Sequence, residues 1–353
     1  MMLTASGLPK LTTLHKHAVV AVRFATNWRD WMTILSQGPA NSLDDVEKVE
    51  RIPVTGSSER NVEPGASPNV PITTEKPKGQ EHVAIDIPNA SNDELALSLS
   101  GCGFLGSYHF GVMICFRNNA KKFMSRVTRI AGASGGSLVA ACYAMCPDQL
   151  EASLERLYSL ADELNSLTFG ALTPGFYLNE RLSHIVDNVI PDDLACIQNR
   201  LFVSLTRSKD KTNRIVSAYP DKIYLQKCLL ASCFIPMYSM GYGAIPPEID
   251  GDSYIDGGIT ENLPVFKDMN TVTISPFSGS ALICPHDQNL FEWKMTLGNQ
   301  LLKVNMSNVV RGAQALFPPS RATLHAYYEM GYRDGMKFLL NNGYLERAVG
   351  TPV

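Results

Sequence analysis

The sequence has no excess of charge of either sign. Its formal net charge is −3 and only 18% of its residues are charged. A basic face able to hold a polyanion is not expected, which argues against nucleic acid as a partner. Paired cysteines are also missing. The eight cysteines are scattered, none forms a Cys-x-x-Cys pair, and no His/Cys spacing reads as a zinc site. Cys142 and Cys146 lie one turn apart in an apolar helical stretch and read as core. Scattered free thiols fit a reducing, intracellular compartment. Formal charge is absent from two long runs, residues 95–116 and 130–147. Each is long enough to raise the question of a membrane span. Both are rich in glycine and serine, and each breaks into an apolar run, a glycine turn and a helical pattern. They read as buried strand–loop–helix units. With 45% hydrophobic residues in 353, the chain can build a sizeable core.

Three regions follow one another. Residues 1–37 contain no acidic residue before Asp30. Val20, Phe24, Trp28, Trp31 and Leu35 share one helical face, with Lys16 and Arg23 elsewhere on the wheel. This amphipathic segment reads first as a helix docked on the main domain, second as a membrane-surface helix, and third as a mitochondrial transit peptide. Residues 38–91 are rich in Pro, Ser, Asn and Glu without apolar periodicity and read as a flexible linker. Residues 92–353 read as the folded domain. Strands are expected at 95–99, 127–131, 202–206 and 271–276. Helices are expected at 107–116, 136–145, 150–164, 179–189, 222–233, 289–311 and 321–341. Strands alternating with helices predict an α/β fold with a mainly parallel central sheet.

Three motifs fall at the ends of expected strands. Gly132-Ala133-Ser134-Gly135-Gly136 is a G-x-S-x-G run between a strand and a helix, the context that a nucleophilic serine needs. A sharp strand-to-helix turn pushes the serine side chain out, and its neighbours must be tiny. The helix start adds amide donors and positive dipole beside the reacting atoms. Ser137 lies inside that helix and reads as a packing or hydrogen-bonding residue. Gly101-Cys102-Gly103-Phe104-Leu105-Gly106 also fits the dinucleotide-binding pattern. That reading wants an acid at the end of the second strand, where Ala131 and Gly132 stand. The loop reads better as an oxyanion hole built from backbone N–H groups. Tyr254-Ile255-Asp256-Gly257-Gly258 ends a short strand in an aspartate, at the position where open α/β sheets build their sites. Asp250-Gly251, just upstream, reads as a hairpin turn.

At these motifs the sequence resembles the patatin-like phospholipase family, nearest to the branch holding adipose triglyceride lipase and adiponutrin. Further strings carry the resemblance: residues 97–100 before the glycine loop, Ala231-Ser232-Cys233-Phe234-Ile235-Pro236, the run 254–264, and Leu316-Phe317-Pro318-Pro319. The resemblance spans roughly residues 95–340. It implies a three-layer α/β/α sandwich and a Ser-Asp dyad. Ser134 takes the nucleophile's place and Asp256 the base's, with the backbone around Gly101, Cys102 and Gly103 as the oxyanion loop. It implies chemistry through an acyl-enzyme, without a metal or cofactor. Cys102 departs from the glycine of plant and bacterial members but suits this branch. Leu105 stands where many relatives carry an arginine. The long apolar C-terminal tail of relatives is expected to be missing, which leaves droplet binding to the face of Val20 and Leu35.

The order Ser134, Asp256, then His286 or His325 also fits a catalytic triad. Each histidine reads better as a surface or packing residue, and His109 as a candidate cleft residue. Phe234, Met237, Tyr238 and Met240 are candidates for an apolar cleft. The expected function is hydrolysis of glycerolipid esters, triacylglycerol first and phospholipid second, at a cytoplasmic lipid-droplet or membrane surface. Transacylation is an alternative. So is a weakly hydrolytic lipid-surface protein that binds a protein lipase activator.

Overall fold

In a computed structural model, the described residues are 84–85, 94–241, 245–287 and 293–346. The amphipathic face of Val20 and Leu35 lies outside them. So does the stretch read as linker, apart from strand β1 (Ala84–Ile85), which pairs in parallel with β8 (Val265–Phe266).

The centre is a sheet in which four neighbouring strands run parallel. β9 (Asn270–Ile274), β2 (Leu95–Leu99), β3 (Val127–Gly132) and β4 (Leu201–Arg207) lie side by side in that order. All five residues of β2 are buried. Its apolar run is what a strand covered on both faces requires. β5 (Asn213–Val216) and β7 (Asp252–Asp256) pair antiparallel with β4, and β6 (Glu248–Ile249) pairs antiparallel with β7. Side chains alternate across the sheet. Leu97, Leu99, Leu201 and Val203 enter the main core, while Ala96, Ala131 and Phe202 meet Phe266 in a smaller cluster.

Helices flank the sheet. They are α1 (Gly106–Asn119), α2 (Lys121–Ser125), α3 (Gly135–Met145), α4 (Leu150–Ser166), α5 (Leu178–Asp187), α6 (Lys222–Ser232), α7 (Met306–Leu316) and α8 (Arg321–Asn341). The fold is α/β with a mainly parallel sheet. The two charge-free runs form β2–loop–α1 and β3–turn–α3. Among the described residues no helix is long and apolar enough to cross a membrane.

One expected helix forms only in its last part, from Met306 on. Within residues 289–311 the chain forms a two-stranded hairpin, β10 (Lys294–Leu297) and β11 (Gln300–Lys303), before α7 begins at Met306. Gly298 opens the two-residue turn at φ +55°, a left-handed conformation that glycine adopts without strain. Asp250-Gly251 forms the expected turn between β6 and β7, with φ of 53° and 81°.

Candidate active site

The strand register brings two chain segments together. β3 and β7 lie end to end along the same edge of β4. β3 runs with β4 and stops where Gly132 faces Val203; β7 runs against it and stops where Asp256 faces Leu205. β5 takes the opposite edge at both positions. The carboxyl ends of β3 and β7 therefore converge on the middle of one strand, and Ser134 and Asp256 stand just there.

Ser134 occupies a strained turn. Its φ and ψ are 50° and −131°, and α3 starts at the next residue. Such a conformation costs a residue with a Cβ on the order of 1–3 kcal/mol. Two hydrogen bonds hold it. The Ser134 N–H donates to Ser232 Oγ at 2.9 Å, and Ser232 Oγ donates to the Ser204 carbonyl at 2.8 Å. Gly136 is required by packing, since a Cβ there would sit 2.4 Å from the Leu99 and Ser100 oxygens. Cβ atoms on the motif glycines Gly132, Gly257 and Gly258 would lie 2.6, 2.0 and 2.6 Å from Ser137 N, Ser204 O and Asn262 Oδ1. Ser137 donates to the Ser134 carbonyl at 2.7 Å, a structural bond.

Asp256 is 6% exposed. Its Oδ1 accepts the Gly258 N–H at 2.8 Å, and its carbonyl accepts Thr206 Oγ1 at 2.8 Å. Burial pushes its carboxyl up to about 6, while the Ser134 hydroxyl and the Gly258 amide favour the ionised form. The thiols of Cys102 and Cys233 flank the pair, both raised, first by burial and then by the Asp256 charge.

The glycine loop lies against the serine turn. A Cβ on Gly135 would sit 2.7 Å from the Gly103 carbonyl oxygen and 3.2 Å from its nitrogen. The four loop residues singled out from the sequence do not share one role. The Gly101 N–H is taken by Asn262, at 3.1 Å to Oδ1 and 3.2 Å to the carbonyl. The Gly106 N–H bonds to the Gly103 carbonyl. Among the described residues, the amides of Cys102, Gly103 and Gly135 donate to no acceptor. These three are the donors open to a developing oxyanion.

Sequence reasoning passed over what fixes the loop. Asn262 Nδ2 donates to Gln300 Oε1 (2.7 Å), Gln300 Nε2 to Ser275 Oγ (2.8 Å), and Ser100 Oγ to the same Ser275 oxygen (3.0 Å). This chain ties the loop to β9, β11 and the turn after β7. Asn262 and Ser232 both lie in stretches that carry the family resemblance, but nothing in a stretch of sequence gives a partner across the sheet.

The three histidines sit elsewhere. His109 is fully buried, and its Nε2 lies 2.9 Å from the Ser100 carbonyl. Burial lowers it to about 4 and keeps it neutral. His325 stacks on Tyr328 and lies 3.6 Å from Glu329 on α8, and His286 is exposed. Asp250 pairs with Arg214 at 2.6 Å on the surface. Among the described residues no group of three or more His, Cys, Asp or Glu side chains is placed to hold a metal ion.

A groove of ≈ 470 Å³ runs over Ser134 and Asp256, walled by Ile235, Ile259, Leu297, Val309 and Leu316. Of the expected apolar cleft residues, Tyr238 lines a second cavity beside Ser134 together with Ile235, while Phe234 is fully buried. A serine on a strained turn, a buried carboxylate, free backbone donors and an apolar groove define the class of an acyl-transfer enzyme acting on lipid-like esters.

Comparison with known proteins places that class in a family. A family model for patatin-like phospholipase matches residues 97–267. Patatin-like phospholipase domain-containing protein 4 of Homo sapiens is 38% identical over 251 residues, 71% of this chain and 98% of that protein. Patatin-like phospholipase domain-containing protein 2 of Bos taurus is 37% identical over 252 residues, 71% of this chain and 51% of that one. 1-acylglycerol-3-phosphate O-acyltransferase Pnpla3 of Mus musculus is 33% identical over 249 residues, 70% and 59% respectively. The chain thus spans about half the length of some relatives and nearly all of another. It belongs to the patatin-like phospholipase family, on the branch with adipose triglyceride lipase and adiponutrin.

Proposed function

We propose that this protein hydrolyses glycerolipid acyl esters, with triacylglycerol as the first substrate and phospholipid as the second, through a dyad of Ser134 and Asp256. The observation that carries the reading is the convergence of the β3 and β7 ends on β4, which sets the strained serine against a buried carboxylate. A carboxyl raised to about 6 is ionised at neutral pH yet basic enough to accept a proton. Asp256 takes the hydroxyl proton as Ser134 Oγ attacks the ester carbonyl carbon. The amides of Cys102, Gly103 and Gly135 receive the charge on the carbonyl oxygen. Losing one such donor typically slows acyl transfer ~100–1000-fold. The alcohol leaves with the proton from Asp256. Water, deprotonated by the same carboxylate, then releases the fatty acid and restores Ser134. The site works at a droplet or membrane surface.

A second reading is transfer of the acyl group to an alcohol instead of water. A relative that carries an acyltransferase name favours it, as does the ≈ 470 Å³ of groove beside Ser134. Both readings are tested with one set of reagents. A fluorophosphonate probe is expected to label wild type and not Ser134→Ala. Emulsions of triacylglycerol and of phospholipid, with and without added diacylglycerol as acceptor, then report free fatty acid against transferred acyl chain. Labelling that persists in Ser134→Ala removes the nucleophile assignment.

A further inference from the structure

The groove over Ser134 is one of two ways out of the site. Behind the serine turn lies a cavity of ≈ 80 Å³ that touches Ser134, Cys233, Ile235 and Tyr238. A further cavity of ≈ 90 Å³ lies beyond it, reaching Phe110, Cys142 and Met145. Gly103, Gly135, Leu138, Leu157, Leu160 and Leu182 line both, so the two are in series. The path follows α3, the helix that starts at the serine turn. From Gly135 to Met145 this helix advances about 15 Å, the extended length of on the order of a dozen methylenes.

The chemistry of the wall selects the occupant. The inner cavity is lined by aliphatic, aromatic, glycine and sulfur-bearing residues with one hydroxyl, Ser153, and Cys142 Sγ lies 3.3 Å from it. Nothing there would bind a phosphate, a glycerol backbone or a carboxylate, and an unpaired polar group would be penalised. The groove on the other side of Ser134 is different, since Asn262, Lys303, Asn305 and Asn308 stand in its wall. The outer wall of the cavities is α5, and of its ten residues only Leu178 and Val186 are buried. Leu182 and Ile185 of the same helix also pack against the core.

We propose that the two cavities form the acyl-chain compartment, that the alcohol part of the ester lies in the groove, and that Leu138, Cys142 and Met145 set the chain length accepted. The assignment rests on the acyl-hydrolase reading above. The three residues fall on successive turns of α3, so a plug at each should cut the chain at a different depth.

The test uses p-nitrophenyl esters from butanoate to hexadecanoate, all dispersed in the same detergent micelles, and reads the ratio of long-chain to short-chain kcat/KM. Leu138→Trp is expected to lower the ratio at least about tenfold, the scale on which pockets discriminate chain length. Cys142→Phe should spare medium chains and reject long ones, and Met145→Trp should affect only the longest. Leu138→Ala, which removes bulk at the neck, should raise the ratio and serves if the tryptophan variant does not fold. Ratios unchanged in folded variants, or a ratio shifted instead by Val309→Trp in the groove, overturn the assignment. A folded wild type that cleaves no ester of any length sinks the hydrolase reading alone. The compartment is then read by binding of a fluorescent long-chain fatty acid, which Leu138→Trp must weaken if the cavities hold the chain.

Discussion

Asp256 takes only the Gly258 amide and the Ser134 hydroxyl as favourable partners, and no basic side chain is among the groups acting on it. The rise of its carboxyl from 3.8 to about 6 corresponds to about 3 kcal/mol. The sign follows from proton binding. Between pH 4 and 6 the folded chain holds this proton more tightly than the unfolded chain does. The resulting stability is fully present below about pH 4 and lost as pH rises through about 6. At pH 8 the ionised group therefore weakens the fold that it serves. Asp256→Asn is expected to be more stable than wild type at pH 8 by on the order of 1–3 kcal/mol, with the gap closing toward pH 4. The same variant should lose nearly all esterase activity. In wild type, kcat/KM on a dissolved ester should climb with an apparent pKa near 6. Urea melts at three pH values and one pH–rate profile check this. A rate flat from pH 5 to 7, or a variant weaker at pH 8, contradicts the assigned role.

Elements meet where their backbones can touch. A Cβ on Gly331 of α8 would lie 2.0 Å from the Tyr108 carbonyl oxygen, and one on Gly111 of α1 would lie 2.1 Å from the Tyr328 oxygen. The Tyr108 hydroxyl donates to Asp334 at 2.9 Å across the same crossing. Alanine is the better helix former by about 1 kcal/mol. Yet Gly331→Ala should destabilise by about 1–3 kcal/mol, because the helices must part. Gly312 on α7 has nothing within 4 Å of its added Cβ, so Gly312→Ala should stabilise by up to about 1 kcal/mol. Opposite signs for the same substitution, read as urea midpoints at unchanged m, test the crossing; equal signs refute it. Much of the element list was legible in the sequence. β2, β3 and α3 announce themselves through apolar runs that end in glycine turns, and α8 through its periodicity. The β10–β11 hairpin was not legible. Met295, Leu297, Leu301, Leu302 and Val304 satisfy a helical spacing loosely. The contrary signal was one Gly-Asn pair at 298–299, which is a turn only if the flanking strands pair. The site shows the same division. Ser134 and Asp256 stand in motifs, whereas the bond from the Gly101 amide to Asn262 depends on how distant strands pack side by side, and spacing along the chain does not encode that.

At the scale of the molecule, the groove opens onto an apolar surface. Ile259, Met295, Leu297, Val304, Val309 and Leu316 line the groove and are each 39–54% exposed. Trp293 and Met306, 72% and 67% exposed, border this rim without lining the groove, and the Val304 N–H bonds to the Trp293 carbonyl at 2.7 Å. Scattered exposed apolar side chains are ordinary, but a group encircling one opening is not. In the proposed reading this rim meets a lipid surface, which would take its apolar side chains out of water. Burying a large apolar side chain is worth roughly 1.5–3 kcal/mol. Replacing both Trp293 and Met306 by Asp should therefore weaken partition onto lipid at least about tenfold. The expected outcome for the double variant is a fall of that size in the rate on triacylglycerol emulsions and in co-flotation with phosphatidylcholine vesicles. Its kcat/KM on a dissolved short-chain ester should stay within about threefold of wild type, since neither residue touches the groove. A parallel fall on both substrates would mean that the substitutions damage the site itself. No fall on either would mean that the rim faces something other than lipid. The two measurements together thus separate a surface that delivers substrate from one that merely surrounds the chemistry.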